Sequence, residues 1–99
     1  MEITGYKNYL IYDDGRVYSK KRNKFLKTRL DKDGYETIGL YNLNKQQKTI
    51  AIHKLIALHF IPNPQNKPQV DHINRIKTDN RVENLRWVTK SENNINKDV

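Results

Sequence analysis

The spacing of apolar residues changes at Ala51, and this change limits the possible folds more than any other feature of the chain. From Ala51 to Phe60, apolar-face positions recur at the i, i+3, i+4 and i+7 spacing of a helix with one buried face. The recurring residues are Ile52, Leu55, Ile56 and His59. Pro62 disfavours helical geometry in the residue before it, so the sequence predicts a short helix that stops at Ile61.

Before this helix, short alternating segments are separated by turn signals. Asp14-Gly15 and Asp33-Gly34 stand between β-forming residues, and glycine supplies the positive φ that tight hairpin turns need. A polar turn at residues 44–47 precedes Thr49 and Ile50. The pattern predicts a small antiparallel sheet, with strands at residues 9–12, 16–19, 35–41 and around 49–50.

After the helix, the prolines between Pro62 and Pro68 make residues 62–68 a stiff connector rather than a flexible tether. Thr89 and Glu92 have the spacing of a capping box, in which each side chain pairs with the other residue's backbone N–H, so a helix is expected to begin at Thr89. The last third therefore reads as strand, polar loop, strand and helix, at residues 69–72, 74–83, 84–88 and from 89 onward.

The size of the chain decides how these parts must combine. It has 99 residues and no cysteine, and a chain this short buries only roughly 60–65% of its unfolded surface. A ββα unit without zinc cannot bury enough to stand alone, so Val70, Leu85 and Trp87 are expected to pack on the 51–60 helix. We predict one cooperative α+β body: a basic β-rich module with its closing helix (1–61), the connector (62–68) and a C-terminal ββα unit (69–99).

The charge balance points to a polyanionic partner. Lys and Arg number 19 against 11 Asp and Glu, a net charge of +8, and residues 16–30 carry seven basic side chains and no acid. Such a charge on a small body favours nucleic acid, although a merely basic domain is the alternative. No apolar run approaches the roughly 20 residues of a membrane span, and Met1-Glu2-Ile3 does not open a signal peptide. We therefore expect a cytoplasmic protein without a membrane partner.

The adjacent residues Asp71 and His72 are the first candidates for catalytic chemistry. Asp71 and His72 lie side by side at a predicted strand end, and Asn93 falls one turn into the last helix, so the three side chains can converge. Carboxylate and amide oxygens suit Mg²⁺ or Mn²⁺, and an imidazole takes a proton from water near neutral pH. That set suits phosphodiester hydrolysis. Taken alone, an Asp-His pair at a strand edge is more often structural.

A family resemblance covers nearly the whole chain. The run D-H-I-N-R-I-K-T-D-N-R-V-E-N-L-R-W-V-T-K-S-E-N-N-I-N-K, from Asp71 to Lys97, closely resembles the HNH endonucleases, in particular the homing-endonuclease branch of phages and introns. The segment from Ile52 to Pro64 is similar to the one that precedes the catalytic motif in that branch. Residues 5–19 resemble, more loosely, the small DNA-associated module often found ahead of it.

The resemblance implies a role for each matching position. Asp71 matches the first metal ligand, His72 the general base, Asn84 the central asparagine that braces the loop, and Asn93 the third position, where Asn or His binds the same metal. It implies one divalent cation, Mg²⁺ or Mn²⁺, and products with 5′-phosphate and 3′-hydroxyl ends.

Two positions depart from the family pattern. Thr89 and Glu92 stand where many relatives carry a zinc-binding cysteine pair, so no structural zinc is expected. Arg75 stands where the homing branch usually has glycine, and arginine is strained there if the position needs a positive φ.

The basic residues are the expected contacts to double-stranded DNA, because Lys and Arg contacts to phosphate supply most non-specific affinity. The candidates are Arg16, Lys20, Lys21, Arg22, Lys24, Arg75, Arg86, Lys90 and Lys97, with a solvated hairpin tip as the alternative for residues 20–24. His53 is interpreted as a supporting residue, beside the catalytic unit or in contact with DNA, and His59 as a packed core histidine. Tyr6, Tyr9, Tyr12 and Tyr18 are interpreted as sheet core.

Two other functions remain open. The chain could be an HNH-fold DNA-binding module that has lost catalysis, with Arg75 as the suspect substitution. It could also be a protein-interaction module, which would lack salt-dependent DNA affinity. The sequence leaves open the recognition site, nicking against double-strand cleavage, and monomer against homodimer.

Overall fold

The computed structural model describes residues 1–92 of the chain, so Asn93 and Lys97 lie outside the described residues. Nine short strands and one α-helix are present in this range, together with a 3₁₀ helix at Val82–Asn84. The strands are β1 Glu2–Ile3, β2 Tyr6–Ile11, β3 Val17–Ser19, β4 Lys24–Phe25, β5 Arg29–Leu30, β6 Glu36–Tyr41, β7 Gln47–Ala51, β8 Gln69–His72 and β9 Leu85–Val88; the helix is α1 Ile52–Phe60. No helix among residues 1–92 is long and apolar enough to cross a membrane.

The N-terminal part contains two sheets, not the single sheet expected. The first has the order β1-β2-β3-β4 and the second β5-β6-β7, and all neighbours are antiparallel. The division falls between β4 and β5, where Leu26 leaves the sheet and packs against the core. Both predicted Asp-Gly turns are present, with φ of +93° at Gly15 and +86° at Gly34.

Helix α1 confirms the period change, one residue later than expected. It begins at Ile52, directly after β7, with Ala51 as an N-cap that makes no side-chain hydrogen bond. It ends at Phe60, and Ile61 is extended (φ −117°, ψ 116°), the geometry that the following Pro62 favours. The buried face includes Ile52, Leu55 and Ile56.

One hydrophobic core joins the two halves of the chain. It contains side chains from the first sheet, the second sheet, α1 and the C-terminal strands, among them Ile11, Leu40, Ile56 and Leu85. Val70 packs against this cluster as expected. Trp87 fixes the connector, because its indole Nε1–H donates to the Ile61 carbonyl at 3.1 Å. Since core side chains come from every part, we expect the described residues to unfold together, and the boundaries 1–61 and 69–99 remain a prediction.

The C-terminal strands form a separate two-stranded sheet in which Asp71 pairs with Arg86 and His72 with Leu85. The predicted strand 84–88 begins one residue late, because Asn84 belongs to the 3₁₀ helix and its N–H donates to Arg81 O at 2.9 Å. The predicted capping box is present: Thr89 N–H donates to Glu92 Oε1 at 3.0 Å, and Glu92 N–H donates to Thr89 Oγ1 at 3.2 Å.

Candidate active site

The end of β8 places Asp71 and His72 on opposite faces of the small sheet, since neighbouring strand residues point to opposite sides. His72 is 5% exposed. Asp71 reaches the side occupied by Arg86, whose Nε and Nη2 lie 3.1 Å and 3.0 Å from Asp71 Oδ2. The cross-strand pairing brings these two charges together. Arg86, predicted as a DNA contact, is thus also the cationic partner of the candidate metal ligand.

His72 is held at its ring nitrogen by an asparagine. Its Nε2 lies 2.8 Å from Asn80 Oδ1, and both side chains are buried. Three rings pack beside this hydrogen bond and form what we call the ring cluster: Tyr35, His53 and His72. The centroids of His53 and His72 are 5.0 Å apart, and those of Tyr35 and His72 are 5.8 Å apart. The imidazole therefore has a fixed plane and little freedom to rotate.

His53 supports His72 from the start of α1. It is 8% exposed, and its Nδ1 has no hydrogen-bond partner among residues 1–92. Burial, helped by the nearby His72 and Lys54, lowers the pKa of His53 to about 4. The ring is therefore neutral at physiological pH and adds no positive charge beside His72. His53 points toward the catalytic unit, which is one of the two positions considered for it.

The loop after β8 is braced by Asn84. Its Nδ2 donates to Asn74 Oδ1 and to the Asp79 carbonyl, both at 2.8 Å, and its Oδ1 accepts from Asn74 N–H at 3.0 Å. Arg81 holds the same loop by two hydrogen bonds to the Asp79 carboxylate, which keep the pKa of Asp79 far below its usual range. All the hydrogen-bonding atoms of the Asn84 amide are used within the loop, which is what the proposed bracing role requires.

Arg75 occupies the left-handed backbone region, with φ of +64°. Its N–H donates to the His72 carbonyl at 2.9 Å, so the position closes a tight turn directly after the candidate base. The position therefore does need a positive φ, which non-glycine residues adopt only at a cost.

The available donors fit a hard divalent cation. Asp71 offers a carboxylate at the strand end, while Asn93, the expected amide ligand, lies outside the described residues. Among residues 1–92, no three His, Cys, Asp or Glu side chains come together as a metal site. A magnesium site made of one carboxylate, one amide oxygen, water and phosphate needs no such cluster, because Mg²⁺ keeps several water ligands.

The predicted DNA contacts lie on exposed parts of the described chain, apart from Lys97, which lies outside it. Lys21 and Arg22 belong to the exposed turn between β3 and β4, and the exposed Lys24 begins β4. Besides Arg86, two candidates have protein partners: Lys20 Nζ lies 2.5 Å from Glu2, and Arg16 Nε lies 2.7 Å from Asp14. The Arg16 guanidinium also lies 4.8 Å from the centre of the Phe25 ring. Arg75 and Lys90 are exposed.

Two neighbours of His72 were missed by sequence reasoning, and one histidine differs from expectation. Asn80 lies only eight residues after His72, in the polar loop, but no spacing rule selects it, and Tyr35 is distant in the sequence. His59 is half-buried rather than fully packed: its Nδ1 lies 2.8 Å from Leu55 O, and Thr4 N–H donates to its Nε2 at 3.0 Å. Of the four tyrosines expected in the core, Tyr9 is buried and Tyr6 packs against the core, while the other two are half-buried.

Comparison with known families gives two adjoining matches. Residues 51–95 match the HNH_3 model, described as HNH endonuclease, and residues 1–41 match the NUMOD4 motif. The border between the two matches falls within the second sheet, ahead of α1.

Similar proteins come from phages and a giant virus. The DNA endonuclease I-HmuI of Bacillus phage SP01 is 42% identical over 93 residues, which is 93% of this chain and 53% of the relative. The HNH endonuclease L245 of Acanthamoeba polyphaga mimivirus is 47% identical over 88 residues (89% and 26%), and the H-N-H endonuclease F-TflII of Escherichia phage T5 is 36% identical over 95 residues (94% and 49%).

A solved structure of I-HmuI, from work on its DNA binding and cleavage, superposes with a TM-score of 0.91 at 40% identity. The alignment covers 98% of this chain and 56% of that one. The chain thus spans about half the length, or less, of the relatives it matches.

Proposed function

We propose that this chain, whose residues 51–95 match the HNH endonuclease model, is a metal-dependent endonuclease of that family that hydrolyses phosphodiester bonds of double-stranded DNA. The observation that carries the proposal is the arrangement at the end of β8. A buried imidazole held by Asn80 lies next to an aspartate held by Arg86, above a loop that Asn84 braces. An acid–base group and a hard-metal ligand are thus fixed on neighbouring residues at the end of one strand.

His72 acts as the general base in this proposal. It takes a proton from the water molecule that attacks the scissile phosphate. Packing against the ring cluster fixes the direction in which the base faces. Because His53 is uncharged, it does not repel the positive charge that His72 acquires.

Asp71 and Asn93 hold one divalent cation, Mg²⁺ or Mn²⁺. When bound, the cation stabilises the negative charge on the phosphate and on the departing 3′ oxygen. Asp71 contributes a hard carboxylate oxygen, and Arg86 borders the same carboxylate, close enough to contact a phosphate as well. The products have 5′-phosphate and 3′-hydroxyl ends.

DNA binding is assigned to the basic N-terminal module, residues 1–61, and catalysis to residues 69–99. The exposed side chains of Lys21, Arg22 and Lys24, at the β3–β4 hairpin, contact the phosphate backbone, since such contacts need no sequence recognition. With DNA as its substrate, the protein works in the cytoplasm of a bacterial or phage-infected cell.

A second candidate function is DNA binding without catalysis. The positive φ at Arg75 favours it, because this strained residue directly follows the Asp71-His72 strand. A tilt of the loop would misplace both functional side chains.

Supercoiled plasmid separates the two functions. Wild-type protein is expected to produce open circles with Mg²⁺ or Mn²⁺ and none with EDTA, and His72→Ala is expected to lose this activity while still binding DNA. His59→Gln, which removes a histidine outside the site, is the matched control and should cleave like wild type. Metal-independent binding without nicking by the wild type would instead support the inactive module.

A further inference from the structure

The hydrogen bond between His72 and Asn80 determines which nitrogen of the base is available. Asn80 Oδ1 lies 2.8 Å from His72 Nε2, and an amide oxygen can only accept a hydrogen bond. The proton of the neutral imidazole therefore resides on Nε2. Because a neutral imidazole carries one N–H, Nδ1 has the lone pair.

Asn80 is itself held from the opposite side by the N-terminal hairpin. It is 4% exposed, and it lies under the β2–β3 turn, where a Cβ added to Gly15 would stand 3.3 Å from Asn80 Cβ and 3.3 Å from Ile52 Cγ2. The Val82 N–H donates to the Asp13 carbonyl at 3.1 Å, tying the same turn to the loop. Asn80 is thus enclosed by the backbone of a distant part of the chain, and its Nδ2 is buried without a hydrogen-bond partner among residues 1–92.

We propose that Asn80 is a positioning residue for catalysis: its amide oxygen holds His72 as the Nε2–H tautomer and makes Nδ1 the atom that receives the proton of the attacking water. This inference rests on the proposed endonuclease function. When the water proton moves to Nδ1, the remaining hydroxide attacks phosphorus, the bond from phosphorus to the 3′ oxygen breaks, and the departing 3′ oxygen takes a proton from solvent water. The imidazolium keeps its Nε2–H through this step. Asn80 Oδ1 then accepts a charge-assisted hydrogen bond, which is stronger than the neutral one.

His59 provides an internal reference for the test. Its Nδ1 faces the Leu55 carbonyl at 2.8 Å and its Nε2 accepts the Thr4 N–H at 3.0 Å. A carbonyl can only accept, so His59 carries its proton on Nδ1. The two histidines should therefore show opposite tautomers in one spectrum.

The first experiment needs neither metal nor DNA. Long-range ¹H–¹⁵N correlation of the imidazole rings is recorded on ¹⁵N-labelled wild-type protein at a pH where the rings are neutral, with His59→Gln and His72→Gln used for assignment. The expected result is Nε2–H for His72 and Nδ1–H for His59. Nδ1–H at His72 would overturn the proposal, since Asn80 would then donate through Nδ2 and the base nitrogen would be blocked.

The second experiment changes the acceptor. Asn80→Leu keeps the size of the side chain but removes the oxygen, Asn80→Asp keeps an oxygen acceptor, and Asn44→Leu is a control at an exposed asparagine in the β6–β7 turn. In Asn80→Leu, His72 is expected to populate both tautomers. The nicking rate is expected to fall roughly 10- to 100-fold at unchanged DNA affinity. Asn80→Asp should retain the Nε2–H tautomer and most of the rate, and Asn44→Leu should match wild type.

The outcomes distinguish the proposed endonuclease function from the positioning role of Asn80. A wild-type protein that never cleaves DNA contradicts the proposed function, while the tautomer of His72 still decides the placement of the proton. An active wild type with full activity in Asn80→Leu, or no advantage of Asn80→Asp over Asn80→Leu, overturns the role of Asn80. If Asn80→Leu does not fold, the wild-type spectrum and Asn80→Asp remain decisive.

Discussion

At the scale of single residues, the chain keeps an uncharged histidine packed against its candidate base. His53 is 8% exposed and burial lowers its pKa to about 4, against about 6.5 for an exposed imidazole. Between these values the unfolded chain binds a proton that the folded chain excludes. The free energy of unfolding therefore falls as the pH falls through this window, and it is recovered as the pH rises above 6.5.

We predict that His53 alone lowers the free energy of unfolding by about 2 kcal/mol between pH 7.5 and pH 5. Urea denaturation at these two pH values measures the change. His53→Phe removes the titrating group but keeps a ring, so its pH dependence should be weaker than that of wild type by about this amount. Equal pH dependence in the two proteins would show that His53 titrates normally.

Arg75 carries the second residue-scale prediction, because its φ of +64° is costly for arginine. Arg75→Gly relieves about 1–2 kcal/mol of strain and loses roughly 0.5–1 kcal/mol through the greater freedom of glycine in the unfolded chain. A net gain in stability of up to about 1.5 kcal/mol is expected by urea denaturation.

Lys45 is a matched control, since it is also exposed and also has a φ of +64°. Lys45→Gly should gain similar stability. If Arg75 contacts a phosphate, only Arg75→Gly should weaken DNA binding and reduce the salt dependence of affinity by about one ion. Identical DNA affinity in the two variants would show that Arg75 does not contact DNA.

At the scale of elements, the sequence predicted the helix ends and strands that depend on residues close together in the chain. The end of α1 follows from Pro62, the strand 69–72 is observed at the predicted residues, and the Thr89–Glu92 capping box is present. Each depends on residues within a few positions of each other. The division into two sheets could not be read in this way, because Leu26 leaves the sheet to reach a core built from distant parts of the chain.

The capping box makes an element-scale prediction. Thr89→Ala removes the hydroxyl that accepts the Glu92 N–H at 3.2 Å, and it should cost about 1 kcal/mol of stability. Because Asn93, the expected amide ligand, directly follows Glu92 in the sequence, the variant should also need more Mg²⁺ for half-maximal nicking. A Thr89→Ser variant keeps the hydroxyl and should stay near wild type; equal losses in both variants would argue against the cap.

At the scale of the whole molecule, the N-terminal hairpin belongs to the catalytic geometry. The β2–β3 turn lies against Asn80, and its Asp13 carbonyl accepts a hydrogen bond from the Val82 N–H of the loop. Sequence reasoning identified Asp71, His72 and Asn84 through the spacing of a local motif. It did not identify Asn80, because no motif brought it together with His72, and the turn that covers Asn80 contains Gly15, 65 positions away in the sequence.

Two glycines test this long-range support. Gly15→Ala and Gly5→Ala both place a side chain at positive φ, +93° and +84°, but only the first would press on Asn80 and Ile52, whereas Gly5 has nothing within 4 Å. Both variants should lose about 1–2 kcal/mol of stability from backbone strain. Only Gly15→Ala should also slow nicking, measured under conditions where both variants are folded. Equal nicking rates in the two variants would show that the hairpin does not influence the active site.

The most direct test of the account is chemical rescue of the base. His72→Gly leaves a buried space beside the ring cluster, so added imidazole should restore metal-dependent nicking of supercoiled plasmid to the inactive variant. The same imidazole should not stimulate wild type and should not rescue Asp71→Ala, which lacks the candidate metal ligand. If wild type nicks DNA and His72→Gly nicks it equally fast without imidazole, His72 is not the base and the central claim is contradicted.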